Sequence, residues 1–324
     1  MGWLGFQEEA LDSVCRTFAI ACLFVAVVAS HGTLHGAYDP PVAAASASHR
    51  LDLADQKVAP GATVTFTALG ADGAPLEGVH WRVNGQPVGT RGPRLTLGPL
   101  TLEQDGTVVD FQAGGQLSRV ALLSVAGEGG HPSARWAPVV AGLLQAPRAR
   151  VARGGTLFCG SSTVAMWDLE HGFPGRAFAN RGFGGSTLKD LLHHSGDLLL
   201  KARPGRVVLY GGDNDLALGL SPEALVEAYR RLKLRIQGGL PGVRLVVVGI
   251  KPSPARLALW PRAQAVNALL KDLFTEPGCA FLDPAGCLMG PDGRPDPGLY
   301  LSDGLHLSGK GYSRLSGCLL PLLP

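Results

Sequence analysis

The sequence of 324 residues has little of several features that mark specialised classes of protein. Only 17% of its residues are charged while 46% are hydrophobic, which excludes a disordered chain and predicts a real core. The net charge is +3 and the basic residues are dispersed, so no basic stripe for nucleic acid is present. The six cysteines match no metal-binding spacing. We expect a globular protein of two domains without a nucleic-acid partner.

Long apolar runs are equally scarce, and the clearest one lies near the N-terminus, at residues 18–29. It is short for a membrane span of about twenty residues, which favours a signal peptide over residues 1–30. Acidic residues precede the run and Arg16 is the only basic one there, so an uncleaved anchor over residues 17–30 remains an alternative. Both alternatives predict export to the periplasm or the extracellular space, with membrane contact only through this segment.

Four cysteines lie beyond this leader, and their oxidation state stays open. A disulfide between Cys279 and Cys287 and two free thiols are both compatible with an exported chain.

The next two segments differ in pattern. Residues 31–56 include a stretch rich in Pro, Ala and Ser without apolar periodicity, which predicts a linker. Residues 57–126 alternate in short runs separated by turn signals such as Asn84-Gly85, which predicts a small all-β sandwich. This segment resembles an immunoglobulin-like domain, with Trp81 in the place of a core tryptophan. A carbohydrate-binding role and a spacer role both remain open for it.

Residues 132–324 alternate between strands and helices. Five short apolar runs predict buried parallel strands, and the longest helices are predicted at 222–237, 258–274 and 308–320, the first with Ser221 as its N-cap. Such alternation predicts an α/β domain with a doubly wound, parallel, five-stranded sheet of the flavodoxin-like kind. The strands are predicted at 156–159, 177–180, 206–210, 243–250 and 279–282.

Four short motifs fall within this domain, and the first three directly follow a predicted strand. Each is common alone, but the carboxyl ends of parallel strands share one edge of a sheet, where ligands bind. We therefore expect the motifs to converge there. They are Gly160-Ser161-Ser162, Asn180-Arg181-Gly182-Phe183-Gly184-Gly185, Gly212-Asp213-Asn214-Asp215 and Asp303-Gly304-Leu305-His306.

The residue types in these motifs suit acyl transfer through a serine. Ser162 opens a helix after a strand, and a serine hydroxyl becomes a nucleophile when a neutral imidazole accepts its proton. His306 is the candidate base, and Asp303 can hold the other ring nitrogen. The oxyanion of a tetrahedral intermediate needs hydrogen-bond donors, for which the candidates are the backbone N–H groups of Ser162 and Gly185 and the amide of Asn214.

These motifs resemble those of the SGNH/GDSL superfamily of serine hydrolases, in a bacterial subgroup with a Gly-Ser-Ser turn. The resemblance extends from Trp136 to the C-terminus and includes Trp167 and the run 251–256. It implies Ser162 as nucleophile, Asp303 and His306 as the rest of a triad, and Ser162, Gly185 and Asn214 as the oxyanion hole.

The sequence also departs from the family pattern. Ser161 stands where many members have aspartate, and Ala165 stands where this subgroup leads us to expect arginine, which weakens inference about the substrate. Lys251 and Arg256 receive no role. His193 and His194 could suggest a metal, but we interpret them as surface residues because no third ligand is evident.

The sequence therefore predicts an exported serine esterase that needs no cofactor and no metal. Its substrate would be a small-molecule, glycan or lipid ester. Three enzyme alternatives remain, namely a short-chain acyl esterase, a carbohydrate O-acetyl esterase, and a lysophospholipase or thioesterase. A catalytically inert surface-binding protein is the alternative from another class. Oligomeric state and acyl chain length stay open.

Overall fold

The computed structural model describes residues 51–324. The predicted leader at 1–30 and most of the predicted linker lie outside the described residues. The described end of that linker packs against the first sheets, since Leu51 and Leu53 border their core and strand β1 begins at Gln56. No described helix combines the length and apolar character needed to cross a membrane.

The N-terminal part of the described chain consists of β-strands. A sheet in the order β1-β8-β6-β3-β4, with β7 paired to β6, lies beside a two-stranded sheet of β2 and β5. Strands β1 to β8 are Gln56–Val58, Val64–Thr67, His80–Val83, Gln86–Arg91, Arg94–Leu97, Thr107–Ala113, Gln116–Leu117 and Ala121–Val125.

One core fills this β region, which comprises residues 56–125. Trp81 and Phe111 are both fully buried, with ring centroids 5.2 Å apart, and the Trp81 Nε1–H donates to the carbonyl of Gly92. The predicted turn signal Asn84-Gly85 joins β3 to β4 with φ of 51° and 78°, the left-handed pair that a tight hairpin turn requires. Trp81 therefore lies in the core and presents no surface for a sugar.

The rest of the chain alternates strands with helices. Strands β9 to β13 are Thr156–Gly160, Ala179–Gly182, Arg206–Tyr210, Arg244–Val248 and Cys279–Leu282. Helices α1 to α10 are Ala137–Gln145, Ser162–Ala165, Leu169–Gly172, Leu188–His193, Ser195–Leu198, Asp213–Ala217, Pro222–Gly239, Trp260–Leu273, Ala285–Leu288 and Gly309–Leu319. Short 3₁₀ segments are Leu102–Gln104, Pro132–Trp136, Pro147–Ala149, Leu200–Ala202, Pro254–Leu259, Pro297–Leu299 and Leu320–Leu322.

These strands form one parallel sheet of five, in the order β10-β9-β11-β12-β13. Counted from the first strand of this domain the order is 2-1-3-4-5, the flavodoxin-like order, which confirms the predicted α/β fold class. The order reverses between β9 and β11. Ligands of such folds bind at the carboxyl ends of the strands on either side of this switch point.

Helices cover both faces of the sheet, as the strand patterns require. The longest, α7, begins after Ser221, whose hydroxyl accepts from the Ala224 N–H at 3.2 Å, and buries Leu225, Tyr229, Leu232 and Ile236 on one stripe. It packs on one face with α1, α4 and α8, while α2, α3, α9 and α10 pack on the other. Burial of each large apolar side chain contributes about 2 kcal/mol.

The cysteines pair differently from the one disulfide considered on sequence grounds. Cys287 on α9 is bonded to Cys318 on α10, and Cys279 is a free thiol. Cys279 opens β13 and so lies at its amino end, whereas Cys287 follows the carboxyl end. The strand itself separates these two residues.

The β region and the α/β region belong to one compact unit, in which Val108, Val120 and Leu122 join the core of the α/β region. Ionic contacts also link the two regions. Arg235 on α7 donates to both carboxylate oxygens of Asp55, at 2.7 and 2.5 Å. Asp105, in the turn before β6, accepts from His131 Nε2 at 2.7 Å and from Lys189 Nζ at 2.8 Å.

The interpretation of His193 and His194 as surface residues was wrong. His194 is 7% exposed and its Nε2 donates to the carbonyl of Ser133 at 2.8 Å, while the half-buried His193 stacks on His131 at 3.9 Å. The segment between the two regions passes over α4 and covers them. Burial, together with the neighbouring histidines, lowers the pKa of His193 to about 4.

Candidate active site

Ser162 lies on a sharp turn between β9 and α2. Strand β9 ends at Gly160, Ser161 is fully buried, and Ser162 is the first residue of the helix. A side chain at Gly160 would meet the carbonyl oxygen of Tyr210 at 2.2 Å, so only glycine lets β9 approach β11 here. The turn thus directs Ser162 to the carboxyl edge of the sheet, beside the switch point.

The structure brings Ser162, His306 and Asp303 into one chain of hydrogen bonds. Ser162 Oγ lies 3.1 Å from His306 Nε2, and His306 Nδ1 lies 2.6 Å from Asp303 Oδ2. Because a carboxylate only accepts, the Nδ1–H donates to Asp303, which leaves Nε2 of a neutral ring free to accept from the serine hydroxyl. The predicted nucleophile, base and orienting acid are therefore within reach of one another.

The loop of Asp303 and His306 holds its own geometry. Asp303 Oδ1 accepts from the backbone N–H groups of Leu305 at 2.8 Å and His306 at 2.9 Å, and the His306 carbonyl accepts from the Leu301 N–H at 2.8 Å. The hydrogen bond from the His306 side chain, supported by those backbone bonds, lowers the pKa of the Asp303 carboxyl to about 2. Asp303 thus stays ionised and keeps the imidazole oriented over a wide pH range.

The three predicted oxyanion donors come from three different turns. Ser162 is the first residue of α2, where backbone N–H groups lack partners within the helix. Gly185 has a φ of 76°, in the left-handed region that favours glycine, and follows Gly184, where an added Cβ would lie 3.9 Å from Ser162 Cβ. Asn214 lies in the first turn of α6, after β11. All three thus come from the edge that carries Ser162.

The amide of Asn214 is held at both ends. Its Nδ2 donates to the carbonyl of Ser186 at 3.0 Å, and its Oδ1 accepts from Arg256 Nη2 at 3.1 Å. The bond to Ser186 uses one of the two amide hydrogens and leaves the other for a ligand.

Residues 154–314 match the model of the GDSL-like Lipase/Acylhydrolase family. This match supports membership of residues 154–314 in the GDSL-like lipase/acylhydrolase (SGNH) family. Members of that family are ester hydrolases, so the match supports ester hydrolysis in general. No relative was found among curated proteins.

The chain is also similar to solved structures. One is a protein from Streptococcus pneumonia, provisionally described as a platelet activating factor, with 22% identity, a TM-score of 0.52, and coverage of 59% of this chain and 92% of that one. Another is a GDSL-like lipase from Bacteroides thetaiotaomicron, with 18% identity, a TM-score of 0.46, and coverage of 59% and 96%. At these identities the first likeness shows the fold alone.

Other motif residues of the GDSL-like domain build the frame around Ser162. Asn180 donates to the carbonyls of Val164 and Trp167, at 2.7 and 3.0 Å, which fixes the helix of Ser162 against β10. Trp167 is buried and donates to Ser316 Oγ at 3.0 Å. Neither residue reaches the surface of the site.

A cluster of charged side chains behind Asn214 was not predicted from the sequence. Asp213, Lys251 and Arg256 meet directly behind Asn214, although Lys251 and Arg256 had no predicted role. Two signals pointed to them: the run 251–256 belongs to the resemblance, and it follows β12 just as Asp213 follows β11. Within residues 51–324, no group of three or more His, Cys, Asp or Glu side chains is placed to hold a metal ion.

Proposed function

We propose that this protein is a serine esterase that hydrolyses carboxylic esters through an acyl-enzyme on Ser162. The observation that carries the proposal is the chain of hydrogen bonds from Ser162 through His306 to Asp303, at 3.1 and 2.6 Å, on the edge of a GDSL-like domain. The geometry matches the division of labour among nucleophile, base and orienting acid in serine hydrolases.

Each residue has one task in the proposed reaction. Ser162 Oγ attacks the ester carbonyl carbon while His306 Nε2 accepts its proton, and Asp303 stabilises the imidazolium. The carbonyl oxygen takes the negative charge and is bound by the Ser162 and Gly185 N–H groups and the free amide hydrogen of Asn214. His306 then returns the proton to the departing alcohol. Water repeats the sequence on the acyl-enzyme and releases the acid.

The surface beside the triad favours an ester with an aliphatic portion. Met166 and Leu301 are 46% and 44% exposed and border a cavity of about 320 Å³ that Leu307 also lines. Both are tied to the triad, because the Met166 N–H donates to the Ser162 carbonyl and the Leu301 N–H donates to that of His306. Asp168 and His171 also line this cavity, and its apolar part, one helical turn along the chain from Ser162, suits an acyl or alkyl chain.

Localisation and the role of the β region complete the proposal. We propose that residues 1–30 direct export, as a cleaved signal or as an anchor, and that the β region is an immunoglobulin-like module that holds the hydrolase at its site of action. Lysophospholipase, thioesterase or O-acetyl esterase activity would use the same residues on different esters.

Hydrolysis of nitrophenyl esters from acetate to palmitate by the full chain tests the proposal. We expect turnover that the Ser162→Ala variant loses, with a preference for chains that the cavity can hold. Preference for acetate alone would contradict the proposed aliphatic cavity. A folded protein without turnover on any ester would favour the inert binding protein over the esterase.

A further inference from the structure

We propose that Arg256 is a positioning residue that fixes the amide of Asn214 for oxyanion binding, and that Asp213 and Lys251 hold Arg256 in place. This inference rests on the proposed esterase function, because it assigns to Asn214 the role of an oxyanion donor. Arg256 itself touches no reacting atom in this scheme. It acts through Asn214.

The partners of the Asn214 amide fix which way round it lies. Arg256 Nη2 is a donor and lies 3.1 Å from Asn214 Oδ1, while the Ser186 carbonyl is an acceptor and lies 3.0 Å from Asn214 Nδ2. Turning the amide by 180° would place donor against donor and acceptor against acceptor. Without the guanidinium, only the Ser186 carbonyl would select the orientation. Arg256 therefore removes the freedom that would point the oxygen of Asn214 at a developing oxyanion.

Asp213 lies between Arg256 and a second basic side chain, Lys251. Asp213 Oδ2 lies 3.4 Å from Arg256 Nη1 and 3.6 Å from Lys251 Nζ. The side chains of Lys251 and Asp213 are only 1% and 5% exposed, and burial lowers the pKa of Lys251. Burying charged groups is costly unless they are paired, and Asp213 is the ionic partner of both Lys251 and the 22% exposed Arg256.

Asp213 also connects the cluster to the rest of the oxyanion site. Its Oδ1 accepts from the backbone N–H of Asn214 at 3.0 Å and from Ser161 Oγ at 3.5 Å. One carboxylate thus contacts the residue before the nucleophile, the backbone of the oxyanion donor and the two cations. A shift of Asp213 would therefore change the contacts of Asn214, Lys251 and Arg256 together.

The loop that carries Arg256 is fixed to the loop that carries the triad. Pro252 and Pro254 stiffen it, and the Ala255 N–H donates to the Gly304 carbonyl at 3.0 Å, inside the turn between Asp303 and His306. The oxyanion amide and the general base are therefore held in one frame.

A double-mutant cycle between Arg256 and Asn214 tests the inference. We expect Arg256→Ala to lower kcat by about 10- to 100-fold with KM changed less than about twofold, because ground-state binding does not use the amide. Asn214→Ala should lower kcat about 100-fold or more. The double variant should fall within about twofold of Asn214→Ala, since Arg256 has nothing left to position. Losses that multiply would overturn the inference, as would an unchanged kcat in Arg256→Ala.

Two companion variants separate positioning from general damage. Arg256→Lys keeps one donor for Asn214 Oδ1 and should recover at least half of the lost kcat on a logarithmic scale. Arg176→Ala, at an exposed arginine of the same domain, should leave kcat and the melting temperature unchanged. If Arg256→Lys is as slow as Arg256→Ala while both melt like the wild type, Arg256 does not act by hydrogen bonding to Asn214.

A readout without turnover distinguishes failure of this inference from failure of the proposed function. In the ¹H–¹⁵N spectrum of the full chain, the two side-chain amide signals of Asn214 are assigned by their loss in Asn214→Ala. We expect them to shift and broaden in Arg256→Ala but not in Arg176→Ala. Unchanged amide signals would overturn the positioning role, whatever the activity. Absence of ester turnover by the wild type would refute the esterase alone.

Discussion

Asp303 and His306 are neighbours with different tasks, and the pH dependence of catalysis separates them. The His306 hydrogen bond lowers the pKa of Asp303 to about 2, so this carboxyl binds no proton between about pH 4 and 8. Asp303 therefore adds no proton uptake of its own to the pH dependence in that range. We predict that log kcat/KM for nitrophenyl acetate falls on the acid side with a slope of one. A slope of two between about pH 4 and 6 would show that a second group titrates there.

Asn214 gives the residue-scale test of the oxyanion site. Asn214→Ala keeps the short α6 helix but removes the free amide hydrogen, so we predict a loss of about 100-fold or more in kcat with an unchanged melting temperature. Steady-state kinetics and thermal melts on the same preparation check this. A loss below about threefold would remove Asn214 from the oxyanion site.

Some residues of the site could be predicted from the sequence and others could not. The sequence could predict that Ser162, His306 and Asp303 lie close together. Each of them belongs to a short motif, and acyl transfer needs these three residue types in contact. Arg256 could not be predicted, because its partner Asn214 lies 42 positions away on another loop, and only the folded sheet brings the two loops together. The orientation of an amide depends on such contacts and leaves no periodic trace in a sequence.

At the scale of elements, tight contact between backbones shapes the turn that presents Ser162. We predict that Gly160→Ala destabilises the protein by about 3 kcal/mol, because its Cβ would meet the Tyr210 carbonyl oxygen at 2.2 Å. Gly142→Ala, inside α1 with no atom within 4 Å of the added Cβ, should stabilise by about 0.5 to 1 kcal/mol. Urea unfolding measures both. Equal midpoints for the two variants would contradict the account of the turn.

Element boundaries followed the sequence where local signals were strong. The strand Arg206–Tyr210 and the start of α7 after Ser221 agree with the predictions. A run of four apolar residues after Arg206 and an N-cap followed by proline are both local features. The helix predicted at 258–274 begins instead at Trp260, after a 3₁₀ segment that starts at Pro254. That segment carries Arg256, and its shape depends on a contact with the Asp303 loop as well as on its prolines.

At the scale of the whole molecule, Asp105 joins the β region to the α/β region. Burial raises its pKa, but hydrogen bonds from His131, Lys189 and the Val125 N–H outweigh burial and lower it to about 2. A lowered carboxyl pKa stabilises the fold above the unfolded value near 3.8 and loses this contribution as the pH falls toward 2. The shift corresponds to about 2 kcal/mol at neutral pH.

Asp105→Asn should therefore lower the free energy of unfolding by about 2 kcal/mol at pH 7, and the difference from the wild type should shrink between about pH 4 and 2. The exposed Glu77→Gln serves as the control and should be neutral. Chemical denaturation across this pH range measures the difference. A constant difference at every pH would show that the Asp105 charge does not contribute.

Covalent labelling with a fluorophosphonate tests whether Ser162 is the nucleophile. We predict one fluorophosphonate label per chain, and mass spectrometry should locate it on the peptide that contains Ser162. Ser162→Ala should remain unlabelled and inactive on nitrophenyl esters, while Ser221→Ala, at the exposed serine that precedes α7, should label like the wild type. A label on another residue, or ester turnover that survives Ser162→Ala, would contradict the account.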